Sequence, residues 1–129
     1  MADPTNRIYT CPMELSVDLL AGKWKPQVLW YLKEGVQCFG ELSRHMPLVK
    51  ARKLNEILGE LERDGLVERI LHSEVPLSVD YVITETGLQL GPLLDLLDQF
   101  GEAYAAEHDV ELLHGAAEPE VERPLVRVS

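Results

Sequence analysis

Leu54, Ile57, Leu58 and Leu61 fall at positions i, i+3, i+4 and i+7, which puts four branched apolar side chains on one stripe of an α-helix. Lys50 stands before that helix and Asp64-Gly65 closes it. Two strand patterns follow at once, Leu66-Val67-Glu68-Arg69-Ile70-Leu71 and Val79-Asp80-Tyr81-Val82-Ile83. They are joined around Val75-Pro76-Leu77-Ser78, read as a loop too long for a tight hairpin turn.

Three shorter helices precede this unit. Pro12 suits a first helical turn, because it lacks an N–H that would be orphaned there, with Cys11 as the cap and Glu14 close behind; Gly22 ends the helix after about Ala21. A second helix starts at Trp24-Lys25-Pro26 and carries Trp24, Val28, Leu29 and Leu32 until Lys33-Glu34-Gly35 breaks the pattern. Val36 to Phe39 suits a brief strand, and Phe39, Leu42 and Met46 mark a third helix that stops before Pro47. After the hairpin, Thr84 caps a long last helix with a wide apolar face of Leu90, Leu93, Leu94, Leu97, Phe100 and Tyr104, in which Pro92 predicts a kink or a restart. The fold class is therefore mainly α with a small antiparallel β wing, a winged helix-turn-helix.

A length of 129 residues with 46% hydrophobic content suits one core. The domain is read as 1–108; residues 109–129 carry no countable period and are expected to form an acidic, flexible tail. No apolar run reaches the ~20 residues of a membrane span, and the first residues lack the basic and apolar regions of a signal peptide, so a cytoplasmic protein is expected. Two cysteines, Cys11 and Cys38, are too few for a disulfide framework.

The net charge of −10 argues against a polyanionic partner until its distribution is read. From residue 102 onward, seven acids stand against Arg123 and Arg127, which accounts for half of the excess. The stretch from Arg44 to Lys53 instead holds Arg44, Lys50, Arg52 and Lys53 and no acid. On a helical wheel with Leu54 at zero, Asn55, Gly59, Arg52 and Glu56 lie at about 100°, 140°, 160° and 200°, all away from the apolar stripe. A helix in this position of a helix-turn-helix enters the major groove of duplex DNA, where Arg suits guanine and Asn suits adenine. Arg52 and Asn55 are the candidate base readers. Arg44, Lys50 and Lys53 suit phosphates, with the positive end of the helix dipole adding to them. Glu56 either accepts from cytosine or excludes wrong bases, and Gly59 presents no side chain to obstruct the DNA backbone. The bland alternative is that these residues are only the solvated face of an amphipathic helix.

The ordered set Cys11-Pro12, Gly22-Lys23-Trp24, Phe39-Gly40-Glu41-Leu42, Leu54 with Leu58-Gly59-Glu60-Leu61-Glu62, Asp64-Gly65-Leu66-Val67-Glu68-Arg69, Glu74-Val75-Pro76, Tyr81 and Thr84-Glu85-Thr86-Gly87 resembles the HxlR-type winged helix-turn-helix transcriptional regulators. The resemblance covers roughly Cys11 to Gly101. It implies a homodimeric regulator whose first and last helices build the dimer interface, with two recognition helices meeting successive major-groove turns. Three positions depart from the family pattern. Cys38 stands where a basic residue commonly precedes the Phe, Lys50 where a small polar residue commonly caps the recognition helix, and Leu77-Ser78-Val79 at the wing tip lacks the usual Arg or Lys. His72, Ser73 and Ser78 are the remaining wing candidates for phosphate.

Some relatives in that family sense oxidants or electrophiles with a cysteine at the position of Cys11. A thiol at a helix N-terminus sees free N–H groups and the positive dipole end, which favour thiolate, while Glu14 opposes it; the alternative is a plain packed thiol. Cys38, between Gln37 and Phe39, is read as core. Trp24, Trp30, Tyr31 and Phe39 are read as packing. His108, Glu111 and His114 lie in the segment least expected to be ordered, so no metal site is assigned, and no cofactor. No nucleophile elbow, phosphate-cradling glycine loop or CxxC pair supports an enzyme. Two other classes compete with the DNA-binding regulator: a winged-helix module that binds protein, and a small enzyme or ligand carrier, which needs a convergent pocket that the sequence does not display.

Overall fold

The computed structural model describes residues 7–113. The order of elements is α1 (Pro12–Leu19), α2 (Lys25–Lys33), α3 (Phe39–His45), α4 (Ala51–Arg63), β1 (Val67–Glu74), β2 (Leu77–Ile83), α5 (Glu85–Leu88) and α6 (Gly91–His108). This is the winged helix-turn-helix expected from the sequence. Of the segment 109–129, residues 114–129 lie outside the described part.

One core holds the helices to the wing. Leu54, Ile57, Leu58 and Leu61 of α4 meet Val28, Leu29 and Leu32 of α2, Leu42 of α3, Leu66 and Val67 at the start of the wing, and Leu94 of α6. Leu54, Leu58 and Leu61 are wholly inaccessible to water. Truncation of such a residue to Ala costs about 2–5 kcal/mol, so the stripe fixes the rotation of α4 about its axis. Trp24, Trp30, Tyr31 and Phe39 pack against this core, as the packing reading requires. Helix α1 buries no residue within the protomer.

Four details correct or refine the sequence reading. The wing turn is tight: Glu74 pairs with Leu77, so only Val75 and Pro76 connect the strands, and their peptide bond is cis. Val75-Pro76-Leu77-Ser78 reads in sequence as a loop too long for a tight turn, but Leu77 and Ser78 are already in register with β1. Val36 to Phe39 forms no strand of its own; it makes a single bridge, Cys38 with Asp80, beside a hydrogen bond from Tyr81 N to Gln37 O at 2.8 Å. Cys38 is exposed rather than core, because it is the N-cap of α3, and its Sγ accepts from Glu41 N at 3.4 Å. The proline effect takes the form of a restart: α5 ends at Leu88, and α6 begins with Pro92 in its first turn, where its missing N–H costs nothing.

Glycine at position 87 is compulsory. A Cβ there would lie 2.4 Å from Leu66 O and 2.7 Å from Ile83 Cγ1. Thr84 reinforces the same junction, its Oγ1 donating to Gly65 O at 2.7 Å and accepting from Gly87 N at 3.0 Å.

Candidate nucleic-acid interface

The apolar stripe turned inward leaves the opposite side of α4 in solvent. Arg52, Lys53, Asn55, Glu56 and Gly59 are all exposed, as are Arg44 at the end of α3 and Lys50 at the N-cap of α4. Among the described residues nothing covers this face. Lys50 is extended, with φ −69° and ψ 152°, and no side chain caps the first turn of α4. The amides of that turn keep their donor capacity for an anion, to which the helix dipole adds. Within the face, Lys53 Nζ lies 4.0 Å from Glu56 Oε1. Both groups are more than half exposed, so the pair is weak and breaks readily for a phosphate.

The wing follows α4 directly and contacts it through β1. The ladder shifts between Leu71 and Ser73, leaving His72 as the unpaired residue of a β-bulge. Its Nε2 lies 3.0 Å from Asp80 Oδ2. The wing candidates therefore differ: Ser78 is exposed and Ser73 half-buried, whereas the imidazole of His72 already has a carboxylate partner, which opposes a phosphate at the same atom. Asp80 was missed in the sequence because the bulge that brings it to His72 has no one-dimensional signature.

Cys11 is exposed at the N-cap of α1, in extended backbone, and its thiol makes no capping hydrogen bond. Glu14 Oε1 instead reaches back and accepts from Thr10 N and Thr10 Oγ1, each at 2.7 Å. Those two bonds hold the Glu14 carboxyl below its ordinary range, so it stays ionised in the turn that carries the thiol. Among the described residues no cluster of three His, Cys, Asp or Glu side chains is placed to hold a metal ion, and no helix is long and apolar enough to cross a membrane. His114 lies outside the described residues.

A clamp that sequence reading missed ties the N-terminal arm to α1 and to the C-terminal end of α4. Arg7 Nη1 donates to Asp18 Oδ2 at 2.7 Å, and Arg7 Nη2 to Asp64 Oδ1 at 3.0 Å, where Asp64 is the C-cap of α4. Tyr9 OH also donates to Asp18, and together the Tyr9 and Arg7 bonds hold the Asp18 carboxyl below its usual range.

Comparison with known proteins agrees with this geometry. The model of the HxlR-like helix-turn-helix family matches residues 19–109. An uncharacterized HTH-type transcriptional regulator of Methanothermobacter thermautotrophicus is 40% identical over 101 residues, covering 78% of this chain and 77% of its own. The uncharacterized HTH-type transcriptional regulator YkvN of Bacillus subtilis is 37% identical over 112 residues, covering 87% and 95%. Among solved structures, the redox regulator HypR in its reduced form is similar at a TM-score of 0.72 and 33% identity, over 78% of this chain and 100% of that one. The reduced form of the transcriptional regulator YodB from B. subtilis is similar at 0.59 and 32%, over 78% and 95%. Relatives and neighbours alike are regulators rather than enzymes, and the chain belongs to the HxlR-like helix-turn-helix family of transcriptional regulators.

Proposed function

We propose that the protein is a cytoplasmic, sequence-specific regulator that binds duplex DNA as a homodimer and responds to oxidants or electrophiles through Cys11. One observation carries the DNA reading: the polar side of α4 is open along its length while its apolar side is buried in the core. Arg52 and Asn55 read base edges, with Glu56 and Gly59 on the same face. Arg44, Lys50 and Lys53 neutralise phosphates, and Ser78 touches the backbone from the wing. The functional unit is 1–108, with 109–129 an acidic extension.

The homodimer rests on apolar surface that the protomer leaves uncovered: Met13 and Val17 on α1, and Leu96, Phe100 and Tyr104 on α6. The exposed, uncapped thiol of Cys11 supports the redox reading, as does likeness to the redox regulator HypR in its oxidized form and to YodB, one structure of which is of the diamide-treated protein. Diamide or a quinone is expected to modify Cys11 and alter operator affinity. A full response retained by Cys11→Ser overturns that part.

Selection of bound duplexes from a random pool, followed by footprinting, tests the whole reading. Two half-sites about one helical turn apart are expected. On the selected operator Arg52→Ala and Asn55→Ala each lose about 1–3 kcal/mol, whereas Lys53→Ala weakens all sequences alike. Equal losses on random DNA refute base reading by Arg52 and Asn55. No salt-dependent DNA affinity at all favours the protein-binding module, which the net charge of −10 also suits.

A further inference from the structure

Helices α2 and α6 border a cavity of about 650 Å³, within the range that holds a drug-sized molecule. Trp30 and Tyr31 of α2 and Leu94 and Leu97 of α6 give its lining apolar surface, while Gln27 of α2 brings an amide and Glu102 of α6 a carboxylate. Leu94 is 3% exposed and belongs to the buried core, so that part of the lining is rigid.

The aromatic part is fixed as well. Trp30 Nε1 donates to Asp95 Oδ1 at 3.3 Å, and Lys33 Nζ lies 3.1 Å from that same oxygen. Trp30 and Tyr31 meet edge to face with centroids 5.5 Å apart. Rings and leucines already held in place lose little freedom when a flat apolar molecule covers them.

The polar groups define what such a molecule carries. An ionised carboxylate only accepts hydrogen bonds, whereas a glutamine amide both donates and accepts. Glu102 therefore calls for an N–H or O–H. Among the described residues the lining contains no Lys, Arg or His, so an anionic ligand meets a carboxylate there and no cation of the lining receives it. A neutral donor reaches Glu102 without the cost of stripping a second charge of water.

We propose that this cavity binds a neutral, flat aromatic molecule with an N–H or O–H on its ring system. The ring lies among Trp30, Tyr31, Leu94 and Leu97, and the donor is directed at Glu102, with Gln27 supplying a second hydrogen bond. Occupancy bears on α3 through Tyr31, whose ring stacks on His45 with centroids 4.8 Å apart; His45 ends α3 and follows Arg44. An effect on operator affinity rests on the DNA-binding reading above, whereas binding itself does not.

Calorimetric titration of the full chain without DNA, using three probes of one bicyclic skeleton, tests the site. Indole is expected to bind saturably, 1-methylindole, which lacks the donor, at least about fivefold more weakly, and indole-3-carboxylate more weakly still. Glu102→Ala is expected to bring indole and 1-methylindole to the same affinity, and Leu97→Trp, which fills the cavity, to abolish the binding of both. Should Leu97→Trp fail to fold, Glu102→Ala, at a half-buried position, still decides. The proposal is overturned by any of four results: no saturable binding of indole, equal affinity of the unaltered protein for indole and 1-methylindole, a preference that survives Glu102→Ala, or indole affinity untouched by a folded Leu97→Trp. Indole that binds as expected without changing operator affinity upholds the site and removes its link to DNA.

Discussion

Arg7 donates to Asp64 across 57 residues of sequence, at 3.0 Å, in a contact where the Asp64 side chain is only 2% exposed. Asp64 terminates α4, and Gly65 behind it turns the chain into the wing with φ +79°. One guanidinium thereby joins the arm before Cys11, helix α1 through Asp18, and the C-terminal end of α4. Arg7→Ala is expected to lower the urea midpoint and to speed hydrogen exchange in residues 8–11. Arg7→Lys restores the effect only in part, because a single ammonium does not reproduce the planar fork that serves two carboxylates. Unchanged exchange in the arm of Arg7→Ala shows that the clamp holds nothing.

A second ion pair joins α2 to α4. Lys25 is 3% exposed, and its Nζ lies 2.9 Å from Glu60 Oε1. The hydrogen bond from Lys25, aided by its charge, holds the Glu60 carboxyl below the ordinary glutamate range of about 4.3. The unfolded chain therefore takes up the proton first as pH falls. The stabilisation is complete above that range and is lost as pH drops through it toward the depressed value. Asp18 and Glu14 shift in the same direction and add to the acid limb. Thermal melts are expected to fall steadily below about pH 4.5. Glu60→Gln flattens that decline and costs about 1–3 kcal/mol at neutral pH by leaving a buried ammonium poorly paired. An acid limb identical in the variant removes Glu60 from the account.

The two informative glycines respond in opposite ways. Gly87→Ala pushes a methyl against the Leu66 carbonyl and Ile83, and is expected to cost about 1–3 kcal/mol in denaturant titration. Gly59 sits in mid-helix with nothing within 4 Å of a Cβ, so Gly59→Ala is expected to raise stability by up to about 1 kcal/mol. If α4 approaches DNA closely at that turn, the same change lowers operator affinity. A more stable protein with undiminished affinity shows that the groove does not crowd Gly59.

Much of this architecture was legible because helical period reports burial directly. Leu54, Ile57, Leu58 and Leu61 named the inner side of α4 and so, by difference, its outer side. What the sequence hid depends on contacts between distant positions. Cys38 looks apolar between Gln37 and Phe39, yet its sulfur caps α3. His72 looks available, yet the bulge sets it against Asp80. Trp30 and Tyr31 read correctly as packing, but half of each ring's role, lining a cavity with Asp98 and Glu102, appears only once α6 is folded back over α2.

The wing pair yields a prediction with a clear sign. Asp80→Asn removes a negative charge from β2 and frees His72 from its carboxylate. Affinity for all duplexes is expected to rise alike, with a steeper dependence on salt. His72→Ala, with the imidazole already occupied, is expected to change affinity by less than about 0.5 kcal/mol. A larger loss in His72→Ala shows that the imidazole leaves Asp80 for phosphate.

Phe100 on α6 is 67% exposed, Leu96 61%, and Met13 on α1 73%. Large apolar side chains this open on the two terminal helices are the surface that the proposed homodimer covers. Burial of one such side chain is worth about 1.5–3 kcal/mol, and twofold symmetry counts each substitution twice. Phe100→Glu is therefore expected to convert a dimer to a monomer in sedimentation at micromolar concentration, while Leu88→Glu, at a less exposed position on α5, leaves the dimer intact. The monomeric variant retains its fold, because Phe100 contributes nothing to the buried core, but loses operator affinity by more than any single base-reading variant, since half-site pairing is lost with it. A Phe100→Glu protein that still sediments as a dimer places the interface elsewhere.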